Sequence, residues 1–474
     1  MAREGELSPE GMEELFNKGR PPKVVRQQGW GSRFIFLIIC VVVAVALFFV
    51  LPLLRRGAEI TGYSGITLVF SPQGTERFLI DSNGNLFAWG NNNHGQLGDG
   101  TNENRLSPVF VMNEVLSIYP RNDHAFALRT DGSLWFWGSG YDDILFDSSS
   151  WVWGGGTHEP ALVREDVVSF HSTHIICEGG NLWTVGGTLV TTGVVSFHGS
   201  HFITDDGSLW TLGGVHVLDL VSSFYHVQDP SWTHGDRFFA IDTNHNLFAW
   251  GDNTFGTLGD GTAINREFPA YIMSDVATVY ARGNRTFVIR TDNSLYAWGN
   301  NRDGQLGIAA GEDYEDYDAE YDDATDIITS YNQYFPKFVM YEVFTLHFSD
   351  ACSSTYAIRL DNSLWMWGGN EELPIHRMDS VVSIHMAEIS RFVICEDGGL
   401  WTWMSHITEP ERIMDNVEIV RAVSWKDSRV GVTAVQTNGS VWVWGDNSYG
   451  LLGTGAADTQ IDWTDITDKF QILN

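Results

Sequence analysis

Basic residues are scarce in this chain. Lys and Arg number 28 against 60 Asp and Glu, a formal net charge of −32 over 474 residues. The first 56 residues hold 8 of the basic and 5 of the acidic side chains, so the remainder, with 20 and 55, is more acidic still. A surface of that sign repels phosphate backbones and excludes nucleic acid as an expected partner. It suits a basic protein, a cation or plain solubility outside a cell. Cysteine is nearly absent: Cys40, Cys177, Cys352 and Cys395 include no CxxC pair and supply no disulfide framework. Cys177 (HIICEGG) and Cys395 (FVICEDGG) occupy matching places in two copies of a repeat and read as small buried hydrophobes. Charge of either sign is low, at 19%, while Trp (19) and Gly (49) are abundant, which excludes a disordered chain. Long apolar runs are missing too, with one exception.

That exception runs from Phe34 to Leu54, FIFLIICVVVAVALFFVLPLL, 21 residues without a charge. At 1.5 Å per residue it spans about 31 Å, the thickness of a bilayer core. Its length, and the Arg55-Arg56 pair that follows at once, set it apart from a cleaved signal peptide, so one transmembrane helix is expected. Lys18, Arg20, Lys23, Arg26 and Arg33 precede the run, and Arg55 and Arg56 follow it. That bias predicts a cytoplasmic tail over 1–33 and a large domain on the far side of the cell membrane. In the tail, Ser8, Pro9 and Gly19 mark the cap, first position and end of one short helix. Residues 55–64 read as a linker.

Residues 65–474 are repetitive. LFAWGNNNHGQLGDGT at Leu86 returns at Leu247 as LFAWGDNTFGTLGDGT, identical at 12 of 16 places. Its core occurs nine times: NLFAWG, SLWFWG, NLWTVG, SLWTLG, NLFAWG, SLYAWG, SLWMWG, GLWTWM and SVWVWG. The alternation makes each copy a strand with one buried face. A turn pair such as SNG, TDG or EDG precedes each copy, the chemistry of tight hairpins. Another apolar strand stands before the turn (RFLID, FALRT, FVIRT), and in eight copies a third before that (VLSIYP, VVSFHS, VVSIHM). One such sheet cannot bury its own faces. Units set radially bury each other, which predicts a β-propeller.

The opening string, with LYAWGNNRDGQLG at Leu295 and VWVWGDNSYGLLGTG at Val441, resembles the regulator of chromosome condensation repeat. The resemblance implies four-stranded blades, seven of them in family members. Here the core Leu or Val residues are 48, 48, 27, 38, 48, 69, 36 and 41 apart, and nine copies exceed seven blades. The expectation is all-β, a propeller of seven to nine blades, and more than seven. The copies at Leu182 and Leu209 are short and lack the Gly-Gln-Leu-Gly element, and SWVWGGG at Ser150 reads as a loop of the second unit.

Candidate chemistry is thin. NNHGQLGDGT lacks the Gly-Lys-Ser/Thr ending of a phosphate loop, and its glycines read as turn formers. His171 and His174, and His198 and His201, have an H-x-x-H spacing, but residues three apart on one strand face opposite sides and cannot share a metal. The second His of each pair, like His124, falls where other copies place Arg77, Arg237, Arg285 or Arg391, which suggests a structural hydrogen-bond donor between blades. The insertion GEDYEDYDAEYDDATD (311–326) holds nine carboxylates in 16 residues. It reads as a solvated loop. Tyr314 and Tyr317 are its candidate contacts for a partner, and Asp313, Glu315, Asp316 and Asp318 are weak calcium candidates. No cofactor is expected and no catalytic set stands apart from the repeat, so the chain is not read as an enzyme.

The leading reading is a membrane-anchored scaffold that binds a protein or a cell-surface glycan, with Trp151, Trp153 and Trp232 as loop anchors. The resemblance implies two others: guanine-nucleotide exchange on a small GTPase, which needs a cytoplasmic propeller, or inhibition of a secreted enzyme.

Overall fold

The computed structural model describes residues 65–470 apart from 72–74, 122, 140–156, 172, 229–234, 310–330, 350–352, 370, 388–389, 405–408, 425–429, 448–449 and 458. The chain divides into two units, 1–55 and 56–474. The first, with the run from Phe34 to Leu54, lies outside the described residues; among those, no helix is long and apolar enough to cross a membrane.

The described strands form nine four-stranded antiparallel sheets, each a meander in chain order. Blades I to IX cover 67–112, 115–164, 167–191, 194–218, 221–273, 276–340, 343–378, 381–414 and 417–465. Their strands are labelled A to D. The nine aromatic cores are the nine C strands, and the Asn-Gly and Asp-Gly pairs are the B–C hairpin turns, as the alternation predicts. The A strands line the inner rim, and those of blades I and II, IV and V, V and VI, and VIII and IX touch.

The D strand is the part that the residue pattern left unread. It is marked by proline: Pro108, Pro160, Pro269, Pro336, Pro374 and Pro410 each stand four residues before the end of blades I, II, V, VI, VII and VIII. D is an outer edge with one unpaired side, where a missing N–H costs little and blunts pairing with another chain. Blades III and IV have D strands of three residues, Leu189–Thr191 and His216–Leu218, without the proline.

Neighbouring blades are fastened where the chain crosses between them. The N–H of the first Val of each blade donates to a carbonyl in the preceding B–C turn, for example Val115 to Gly84, Val276 to His245 and Val417 to Gly398, at 2.8–2.9 Å. All eight chain-connected junctions have this bond. The residue before that Val turns with positive φ; Glu114, Asp166, Asp275 and Asn416, at 56–62°, are among them.

The ninth junction, between blades IX and I, closes the ring without a chain crossing. Among the described residues no C-terminal strand joins the first sheet. Ile66, Leu68 and Phe87 of the first blade instead share a core with Ile419, Val443 and Leu452 of the last. Phe470 sits edge-on against Phe87 and Trp89, 5.6 and 5.8 Å away. Cys177 and Cys395 are buried and free, as their matching places suggest, and burial pushes both thiols up to about 11.

Candidate binding face

The repeated Gly-x-Leu-Gly element is a latch between blades. In blade I it begins with Asn92, whose Oδ1 accepts from Leu97 N at 2.9 Å while its Nδ2 donates to Asp99 Oδ1 at 3.0 Å. Asn253, Asn301 and Asn447 hold Leu258, Leu306 and Leu452 in the same way at 2.7–2.9 Å. The folded loop then offers one carbonyl to the Trp of the next blade. Trp137 Nε1 donates to Gln96 O at 2.9 Å, Trp298 to Thr257 O at 2.9 Å, Trp367 to Gln305 O at 3.1 Å, and Trp89, across the closure, to Leu451 O at 2.8 Å. All four Trp are fully buried. The last glycine of the element lies flat on that ring. A Cβ on Gly98 would come 2.7 Å from Trp137 Nε1, and one on Gly259 equally close to Trp298 Nε1.

Latching fixes most of each loop and leaves two residues free to vary. These tips are Asn93 and His94 in blade I, Thr254 and Phe255 in blade V, and Arg302 and Asp303 in blade VI. All but Phe255, which is half-buried, are exposed, and each pair stands just before a buried glycine. The A–B turns share this end of the molecule. At blade VI the two meet around a cavity of about 300 Å³, between Arg282 to Arg285 on one side and Arg302 and Asp303 on the other, bounded by Gln305 and Ser353. Three guanidinium groups for one carboxylate is a local reversal of the domain's charge.

Models of the regulator of chromosome condensation (RCC1) repeat match residues 83–127 and 279–305. The first stretch holds the latch of blade I and the second ends in that of blade VI. The described residues form a nine-bladed propeller that is RCC1-like, two stretches of it matching the repeat. Among solved structures, this propeller is similar to a chain in the crystal structure of Kap60 bound to yeast RCC1 (Prp20), at 16% identity over 80% of this chain and 83% of that one, TM-score 0.40. It is also similar to human WBSCR16, at 14% identity over 81% and 93%, TM-score 0.37. A third is Prp20p from Saccharomyces cerevisiae, at 16% identity over 85% and 77%, TM-score 0.28. At these scores the similarity transfers no function and no residue role.

The residues singled out for binding, Trp151, Trp153, Trp232, Tyr314 and Tyr317, lie outside the described residues, as do Asp313, Glu315, Asp316 and Asp318. The histidine pairs require a correction. His171 and His174 are not on one strand; they are partners across a tight A–B hairpin, as are His198 and His201. They are occupied in packing and local bonds. His171 Nε2 meets Ser169 Oγ at 2.7 Å, and the His174 ring lies 4.6 Å from Phe197 of the next blade. His201 sits 4.9 and 4.8 Å from Phe224 and Phe238 of blade V. Burial pushes His124 and His201 down to about 4. The predicted donor role belongs to the arginines: Arg237 donates to Gly283 O and Arg285 to Ser353 O (2.9 Å) in the next blade, and Arg391 to the Tyr356 hydroxyl (2.8 Å) in the preceding one. Arg77 donates to Glu76 O of its own blade at 3.1 Å.

Proposed function

We propose that this propeller is a binding scaffold, anchored in the cell membrane by Phe34 to Leu54 and facing outward, that takes a protein or a cell-surface glycan on its latch face. The observation that carries the reading is the division of labour in the loops. A shared set of Asn, Leu and Gly residues holds each latch rigid, and the tips it presents differ from blade to blade: Asn93-His94, Thr254-Phe255, Arg302-Asp303. Rigid presentation of variable side chains lowers the ordering cost of binding. The arginine-lined cavity at blade VI gives this face a polar anchor for an acidic group.

Two measurements test it. Protease added to intact cells is expected to remove the propeller; protection would place it in the cytoplasm and favour the exchange-factor reading. A photo-crosslinking residue at 93, 254 or 302 is expected to give adducts on cells. The same residue at 83 or 244, on the B–C turns, is expected to give none. Adducts confined to the turn positions would put the binding face at the wrong end.

A further inference from the structure

We propose that the inner rim between blades VII, VIII and IX is a binding site for a compact oxyanion, held by His347, His385 and Arg421. These are the fifth residues of three consecutive A strands, Val343–Phe348, Val381–Ala387 and Val417–Ser424. On blades II, III, V and VI that position is matched by a hydroxyl. Tyr225 meets Thr278 Oγ1 of the next blade at 3.3 Å, and Tyr280 meets Thr345 Oγ1 at 3.4 Å. Tyr119 and His171 pair with Ser117 and Ser169 of their own strands at 3.1 and 2.7 Å.

The pattern breaks in this sector. Blade IX carries Ile419 at the third position, so His385 has no hydroxyl to meet there. His347 Nε2 and Arg421 Nε are buried with no hydrogen-bond partner among the described residues. A guanidinium stays charged at any physiological pH. Arg421 is half-buried, but its Nε is shut away from solvent without an acceptor, which is costly; Arg237, Arg285 and Arg391 each have at least one acceptor. No described carboxylate acts on the three side chains. His385 feels Arg421 and His347, while only burial acts on His347 and Arg421; Glu418, on Arg421's own strand, is not among the charges that reach it. Burial pushes His347 down to about 4 and Arg421 down to about 10; His385 falls to about 3 through burial and these two neighbours. One charged guanidinium beside two imidazoles, with Arg421 Nε and His347 Nε2 orphaned, lacks among the described residues an anion with several acceptor oxygens. A phosphate or sulfate supplies it, as does the carboxylate of an acidic peptide side chain; the guanidinium fork suits either.

The test is titration calorimetry on the purified, detergent-solubilised full chain in a buffer free of other oxyanions, with inorganic phosphate, sulfate and N-acetyl-aspartamide as probes. Saturable binding of at least one probe is expected, with preference between the inorganic ions and the carboxylate naming the natural source. Arg421→Met is expected to weaken binding by about tenfold or more, one charged hydrogen bond's worth. His347→Gln, a milder change, is expected to weaken it while the melting curve stays cooperative, so a folding failure of Arg421→Met would not block the test. Arg164→Gln, a surface arginine of blade II paired with Asp166 and outside both the rim and the latch face, is expected to change nothing. Absence of saturable binding for all three probes, or parental affinity in both rim variants, would overturn the proposal.

Discussion

Trp298 and Trp403 occupy the same place in their C strands, and both are buried, but only one has a latch to meet. Trp298 Nε1 reaches Thr257 O at 2.9 Å. Blade VII lacks the Gly-x-Leu-Gly element, and Trp403 Nε1 has no acceptor among the described residues. Trp298→Phe is therefore expected to lose a hydrogen bond as well as ring area, and to leave a buried carbonyl with one donor fewer. It should cost at least about 1 kcal/mol more than Trp403→Phe, read from denaturant midpoints. Equal losses would mean that the indole N–H contributes nothing. His201 gives a pH signature. Its folded-state value is pushed down from 6.5 to about 4, first by burial and then by His226. Between those values the unfolded chain binds a proton that the folded chain refuses. Stability is thus fully present above 6.5 and falls as pH drops towards 4. His201→Phe keeps an aromatic ring among Phe224, Phe238 and Trp250 and is expected to shrink the fall in melting temperature between pH 7.5 and 5.5. An unchanged fall would assign the pH response to other groups.

Within one blade, the latch is the unit that decides stability. Gly259→Ala places a Cβ 2.7 Å from the Trp298 indole at a φ of +80°, so steric and backbone penalties coincide. A loss of about 2–4 kcal/mol is expected. Asn253→Ala leaves the ring space intact but frees Leu258 N and the carbonyl of Thr262, and is expected to cost about 1–3 kcal/mol. Chemical denaturation of both variants checks this, and a neutral Asn253→Ala would show that the loop holds its shape without the side chain. Much of this element was legible beforehand. Alternation gave the C strands, Asn-Gly and Asp-Gly gave the hairpins, and recurrence gave the ring. The Trp burial follows from the same alternation. The purpose of the glycines did not, because a turn former and a glycine pressed on a neighbour's indole look alike in one copy. The D strand escaped for a related reason: it is a half-exposed edge whose only regular mark is a proline, and proline ordinarily argues against a strand. The paired histidines misled through register, since H-x-x-H on one strand and H-x-x-H around a two-residue hairpin put the rings on opposite and on facing positions respectively.

At the scale of the ring, the junctions are unequal. Those between I and II, V and VI, and VI and VII have both a Val bond at the crossing and a latch at the opposite end. III to IV has the crossing bond with rings packed above it. IX to I has a latch and Phe470 but no crossing. Phe470→Ala is expected to raise amide hydrogen exchange in the A to C strands of blade I and in blade IX while leaving blades V and VI unchanged. Uniformly faster exchange would mean that the ring opens as one cooperative body. The missing crossing also sets how this molecule carries tension. Residues 65 and 470 belong to neighbouring blades, so a pull between the two ends bears on that single seam. Among the described residues the seam is held by side chains, the Trp89 indole bond and a backbone bond from Gly455 N to Leu106 O at 2.8 Å, not by a row of backbone rungs. It is expected to part first, as an early step of an optical-trap trace before any sheet unravels; sheets unravelling before the seam parts would refute this. The expected product of that step is a chain of nine intact sheets joined at the eight chain-connected junctions.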